Sequence, residues 1–413
     1  MSRTVSCPIC ENQVPAEDFQ CPNCGWVMKD DRLVLGPLTP QEKQEFDQRV
    51  EEAKRNLRAW VPGPAESPVA PSRHLMAALA DSERFTKYTC LAVHPGGNIV
   101  AASGYDGAVR IWTLDDRLGG GPEPVQPSRR LEGCTGRTTG LSFTPDGTEL
   151  VAGSAGWIGY SPIFRWNVSD WRPINTPEIK LGHSVLGLSV RPSSTDKSGV
   201  QLVTVSGDWG GMGNMAQVWD LKTGSRGKLL KRHSSHFASV AIRADGRVAA
   251  LGSGGWGSDY AVRLWDPNSG KVLHELPTNA DPNEMHTATV SALAFSPTHQ
   301  SSGEVQGGRR LASASYDGTI RIWQVSDGKQ LGLLRGHGWL SSVDWNAKGD
   351  MLAAGSYDRT VQVWKIGTPR PILVLQGHTE RVTAVVWCPP PRQNWLMSAG
   401  WDGKVHVWSI ITR

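Results

Sequence analysis

Four cysteines crowd the first 24 residues as two C-x-x-C pairs, Cys7 with Cys10 and Cys21 with Cys24. Thiolates at that spacing form two short knuckles that one tetrahedral ion can bridge, and Zn2+ is the cation such a four-sulfur set selects. Four thiolates fill the ligand set, so the expected ion is structural and has no open position for hydrolytic chemistry. Cys90, Cys134 and Cys388 stand apart and read as core thiols. Eleven histidines complete the inventory, and no G-x-S-x-G, H-E-x-x-H, G-x-x-x-x-G-K or EF-hand spacing accompanies them. The expectation is a protein that is not an enzyme.

The segment that must position the four cysteines is residues 1–35. Its few apolar side chains, Ile9, Val14, Phe19 and Trp26, make too small a core, so metal binding must supply most of its folding energy. The second knuckle, CPNCG, resembles those of small zinc ribbons, with Gly25 giving the tight backbone a knuckle needs. Such a ribbon docks nucleic acid or a protein, or is purely structural, or in a remote case holds a redox iron. Residues 36–61 follow as an amphipathic helix over 39–60, with Thr39 as N-cap, Pro40 at the first helical position and Glu42 completing a capping box. Phe46, Val50, Ala53, Leu57 and Trp60 form its narrow apolar stripe. Residues 62–72, PGPAESPVAPS, are a Pro-rich linker.

From residue 73 to 413 one pattern recurs: an apolar strand, a turn with Asp or Gly, then a strand ending in Trp. LASASYDGTIRIW, LAAGSYDRTVQVW, LMSAGWDGKVHVW and VAASGYDGAVRIW are the plainest copies, ending at Trp323, Trp364, Trp408 and Trp112. Degenerate copies end at Trp166, Trp219 and Trp265. The seven tryptophans lie 54, 53, 46, 58, 41 and 44 residues apart, the period of a four-stranded propeller blade with insertions. The many glycines (46) and prolines (27) suit short strands and tight turns, so the fold class expected is all-β.

These copies resemble the WD40-repeat family, and the resemblance covers residues 73 to 413. It implies a seven-bladed β-propeller with strands a to d in each blade, Trp on strand c, Asp in the b-to-c turn and His in the d-to-a loop. It also implies a hydrogen-bonded structural network joining these to a strand b Ser or Thr. Carried over, the sets are His286, Asp317 and Trp323; His337, Asp358 and Trp364; and His378, Asp402 and Trp408. Blade one lacks the Gly-His, and blade two has Cys134 where His is expected. The last copy supplies only strands a to c, so residues 74–80 are expected to close the ring as the outer strand of blade seven.

The resemblance further places b-to-c turns and d-to-a loops on one face that commonly binds partners. Those turns hold an aromatic in every blade: Tyr105, Trp157, Trp209, Trp256, Tyr316, Tyr357 and Trp401. Trp157, Trp209 and Trp256 lie in Gly-rich expansions, and Trp and Tyr commonly anchor interfaces. The opposing reading is that these rings only pack on the neighbouring blade. Arg359 and Asp259 lie near the same rim.

With 43 basic and 39 acidic residues the net charge is +4, so no global field demands nucleic acid or an anionic membrane. Neither a signal-peptide stretch nor a run of about 18 apolar residues is visible, and the expected location is cytoplasmic. The functional expectation is a scaffold that binds proteins through its aromatic rim. The alternatives are a nucleic-acid or ribonucleoprotein factor reading through the ribbon, and a propeller enzyme.

Overall fold

The computed structural model describes residues 4–6, 13–15 and 74–410, the last with breaks at 115–123, 135, 156–160, 176–178, 182–183, 193–198, 208–214, 231–235, 256–257, 279–283, 298–299, 302–303 and 306–307. The chain divides into two compact units, Met1–Val69 and Ala70–Arg413. In the first, the described residues make one antiparallel hairpin, Thr4–Ser6 against Gln13–Pro15, with Thr4 opposite Pro15. The four ribbon cysteines, the helix expected over 39–60 and the linker lie outside the described residues.

The second unit contains seven four-stranded antiparallel sheets. Strands a to d of blade one are Tyr88–Val93, Ile99–Gly104, Val109–Thr113 and Arg129–Leu131; of blade two, Arg137–Phe143, Glu149–Ala155, Ser161–Asn167 and Lys180–Leu181; of blade three, Ser184–Pro192, Val200–Gly207, Met215–Asp220 and Arg226–Leu230. Blade four runs Phe237–Ile242, Ala249–Ser253, Val262–Asp266 and Lys271–Leu276; blade five, Val290–Phe295, Arg310–Ser315, Thr319–Gln324 and Gln330–Arg335; blade six, Leu340–Trp345, Met351–Ser356, Val361–Lys365 and Leu373–Leu375. Blade seven has Val382–Trp387, Trp395–Gly400 and Lys404–Ser409, and its outer strand is Leu75–Ala80. Each strand a touches the strand a of both flanking blades, blade seven with blade one included, so the ring is closed. No α-helix occurs among the described residues.

Strands b and c are buried on both faces, which is why they read as unbroken runs of small and apolar residues such as RLASAS and TIRIWQ. Strand d is the blade's outer edge and reads polar, as in KVLHEL. Each seam between successive blades holds its own hydrophobic cluster. The strand c tryptophan always fills the seam with the preceding blade: Trp364 packs on Ala312, Ala314 and Ile320 of blade five, and Trp112 on Met397 and Val405 of blade seven. A blade therefore cannot bury its largest side chain without its neighbour.

At the closure Ala78 stands opposite His406 and Ala80 opposite Lys404, and the Ser409 amide donates to the His74 carbonyl at 2.8 Å. Leu79, fully buried, enters the cluster between blades seven and one.

Candidate functional site

The b-to-c turn sets the face that carries the aromatics. In blades one, five and seven it is Asp-Gly, and the Asp carboxylate accepts the amide two residues on: Ala108 at 3.3 Å, Thr319 at 2.8 Å and Lys404 at 3.2 Å. The glycine that follows has φ of 74°, 80° and 71°, a left-handed conformation open to a residue without Cβ. Blade six makes the same turn with Arg359 at φ 75°, which costs a residue with a side chain about 1–2 kcal/mol.

The residues before these aspartates meet across the blade seams. Tyr316 stacks on Trp339 at 5.5 Å and lies 5.4 Å from Tyr357, with the two phenol oxygens 3.1 Å apart. The Arg381 guanidinium lies 4.6 Å from the Tyr357 ring centre and 3.8 Å from that of Trp401. Trp401 meets Tyr105 edge to face at 5.5 Å and carries Lys87 Nζ at 4.4 Å. Arg137 covers Tyr105 at 5.1 Å. A belt of rings alternating with cations thus runs from blade five to the edge of blade two. Burial and then the adjacent Tyr357 push the Tyr316 phenol well above its usual 10, so it stays neutral.

Along this belt exposure is uneven. Tyr105 is 41% exposed, whereas Trp401 is only 8% exposed, held between Arg381 and Lys87, so it supports the surface and does not form it. The belt also enlists Trp339, Arg381, Lys87 and Arg137, which a search confined to residues before the turn Asp leaves out. Trp339 and Arg381 each directly precede a strand a, so the d-to-a loops carried the signal. Trp157, Trp209 and Trp256 lie outside the described residues. Asp259 turns inward and pairs with the buried Arg263.

The blade networks assemble in two of the three sets. His286 Nδ1 meets Asp317 at 2.8 Å and its Nε2 meets Ser313 Oγ at 2.7 Å, while Trp323 Nε1 donates to the same hydroxyl at 2.8 Å. His378 repeats this with Asp402 at 2.9 Å, Ser398 at 2.8 Å and Trp408 at 2.8 Å. Burial raises the Asp317 carboxyl, but the His286 charge and hydrogen bond, with Thr319, outweigh it and hold it down at about 2.

The third set is a correction: His337, Asp358 and Trp364 form no such chain. Ala354 stands where Ser313 and Ser398 stand, so no hydroxyl bridges the indole to the imidazole, and Trp364 Nε1 has no partner among the described residues. The His337 side chain is exposed, and the Gln362 amide clamps its backbone instead, Oε1 accepting from its N–H and Nε2 donating to its carbonyl, both at 2.8 Å.

Gln362 is one of a row, two residues before the strand c tryptophan, that sequence reading passed over. In blade one that position is Arg110, which donates to Asp106 at 2.7 Å and to Asp81 at 2.9 Å, so an arginine and a second acid replace the missing histidine. In blade seven it is His406, stacked on His378 at 4.0 Å. His378, Asp402 and His406 lie close enough to suggest a metal trio, but rings parallel to within 17° set their nitrogens side by side and not convergent. Burial pushes Cys90 up to about 11 and Cys134 and Cys388 up to about 12, which leaves all three unreactive thiols.

Residues 85–113, 282–324, 328–365 and 369–409 match the family model described as WD domain, G-beta repeat, and these segments lie on blades one, five, six and seven. The chain thus carries WD40 repeats within a seven-bladed propeller. It is similar to the guanine nucleotide-binding protein subunit beta of Oryza sativa subsp. japonica, 28% identical over 244 residues, which cover 57% of each chain. Similarity also extends to the ribosome biogenesis protein WDR12 homolog of Chlamydomonas reinhardtii, 24% identical over 60% of this chain and 57% of that one. The nuclear distribution protein PAC1 of Arthroderma otae is 30% identical over 72% of this chain and 60% of its own length. The chain spans about three-fifths of the length of these curated relatives.

Proposed function

We propose that this chain is a non-catalytic scaffold that binds protein partners through the aromatic face of its propeller. The observation that carries the reading is the belt from Tyr316 to Arg137, in which rings from four blades are pinned by cations and by one another. Rigid aromatics bury large areas at low entropic cost, which is what an interface anchor needs. Two of the histidines best placed for acid or base work, His286 and His378, are absorbed in the blade networks, which supports a role without catalysis. A similarity to a protein named as a subunit of an assembly points the same way.

The N-terminal unit is read as a zinc ribbon with Cys7, Cys10, Cys21 and Cys24 as ligands, a second docking or structural module of a cytoplasmic protein. Its support is that the paired strands Thr4–Ser6 and Gln13–Pro15 flank the first cysteine pair. One zinc per chain, lost in a Cys7→Ser/Cys10→Ser variant, is the expected elemental analysis; a metal-free native chain sinks that part.

The scaffold reading is tested by affinity purification with the intact chain, with residues 70–413, and with Tyr105→Ser/Trp339→Ser and Trp209→Ala/Trp256→Ala variants. Partners kept by residues 70–413 and lost by a folded rim variant are expected. An unchanged partner set in both variants removes the rim from the function.

A further inference from the structure

The belt has one stretch where apolar surface and surplus positive charge coincide, the seam between blades seven and one. Phe85, in the loop leading into strand a of blade one, is 68% exposed, the highest value among the large apolar residues described. It is nevertheless fixed in place. A Cβ on Gly403 would fall 2.7 Å from its ring, the Asp106 amide donates to Thr86 Oγ1, and the Tyr105 amide donates to the Lys87 carbonyl. Phe85 and Tyr105 are therefore two presented rings on a braced platform, with Trp401 beneath.

Ion pairing around this platform is lopsided. The acids on the blade-one side are already matched: Asp81 and Asp106 by Arg110, Asp81 and Glu83 by Arg130, Glu132 by Arg84, while Glu380, next to Arg381 on the blade-seven side, is exposed. Lys87 and Arg137 have no carboxylate partner among the described residues; they lie on the faces of Trp401 and Tyr105. A cation resting on a ring keeps donors free for an incoming anion, and the low-dielectric ring beneath strengthens that pairing.

Resting on the scaffold reading above, we infer that this seam docks an acidic segment of a partner protein. An apolar side chain of that segment packs on Phe85 and Tyr105, and its flanking carboxylates meet Lys87 and Arg137. The chemistry selects aspartate- or glutamate-flanked anchors and disfavours basic segments.

The test uses the full chain and three fluorescein-labelled dodecapeptides sharing a central Trp-Leu pair, flanked by Glu, by Gln or by Lys. Fluorescence anisotropy should show the Glu peptide binding at least tenfold tighter than the Gln peptide and weakening as salt rises from about 50 to 300 mM. Phe85→Ser and Lys87→Gln/Arg137→Gln, checked for an unchanged thermal midpoint, should each weaken it at least tenfold. Binding to no peptide, or Glu binding indifferent to both variants, overturns the inference. Equal Glu and Gln binding lost only in Phe85→Ser overturns the acidic partner while leaving the scaffold reading intact.

Discussion

Trp323, Trp408 and Trp219 each donate to a strand b hydroxyl, Ser313, Ser398 and Thr204, whereas Trp364 and Trp265 face Ala354 and Leu251 at the equivalent register and have no partner among the described residues. A buried donor left unpaired costs about 1–3 kcal/mol, more than a made bond returns. Ser313→Ala should therefore destabilise the chain by about 1–3 kcal/mol, and Ala354→Ser should stabilise it by about 0.5–1.5 kcal/mol, both read from urea unfolding. Equal midpoints for the two variants and the parent would show that the hydroxyl does not matter. The tryptophans were legible because one period carries them all, but the network is a property of four residues. The family resemblance placed His337 with Asp358 and Trp364, while the residue that breaks the set, Ala354, differs from serine by one oxygen and leaves the apolar pattern intact.

Two devices hold the strands of the ring together. Hydroxyls near the start of strand a donate across to the next blade's carbonyl: Thr89 to Thr138, Thr139 to Val185, Ser239 to Val290, Ser291 to Leu340, Ser341 to Val382 and Thr383 to Tyr88. Between blades three and four the Ile242 amide donates to Ser189 instead. The second device is Asp81, directly after the closing strand, whose buried carboxylate accepts from Arg110 at 2.9 Å and Arg130 at 2.6 Å. Burial raises this carboxyl, but the two arginines hold it below its usual value. Asp81→Ala removes one of the two carboxylates on the buried Arg110 and leaves it Asp106, a loss of about 1–3 kcal/mol, and Leu79→Ala opens the seam cavity at about 2–5 kcal/mol. Calorimetry of the two single variants should show both midpoints falling; a midpoint unchanged in Asp81→Ala refutes the latch. The strand itself could be read from the missing fourth strand of the last repeat, whereas Asp81 could not, because nothing in the sequence links an acid after residue 80 to an arginine at 110.

The whole ring responds to acid through groups of opposite sign. Burial, then the neighbouring His378, pushes His406 well below its usual 6.5, so the folded state keeps it neutral and loses stability as pH falls below about 6.5. Burial raises Asp344 to about 6 against two backbone amides and Arg191, so stability from that group is gained as pH falls through 6. His406→Gln, which copies Gln362 of blade six, should retain up to about 2 kcal/mol more of its neutral stability at pH 5 than the parent retains. Asp344→Asn should lose more, and identical slopes of midpoint against pH for all three proteins would rule both groups out. Blade number followed from the count of tryptophans and ring closure from the strand the last repeat lacks; the belt did not, because it joins residues from five blades that lie far apart in the chain. Closure also sets a schedule. His74 and Ser409, bonded within blade seven where its outer strand meets strand c, are 335 residues apart. At ribosomal rates of about 5–20 residues per second, the strand made first waits roughly 20–70 seconds for its partner. Through that interval Leu75–Ala80 lacks its sheet partner and has only the Val125 bridge, and a chain that stops before residue 404 cannot supply that partner.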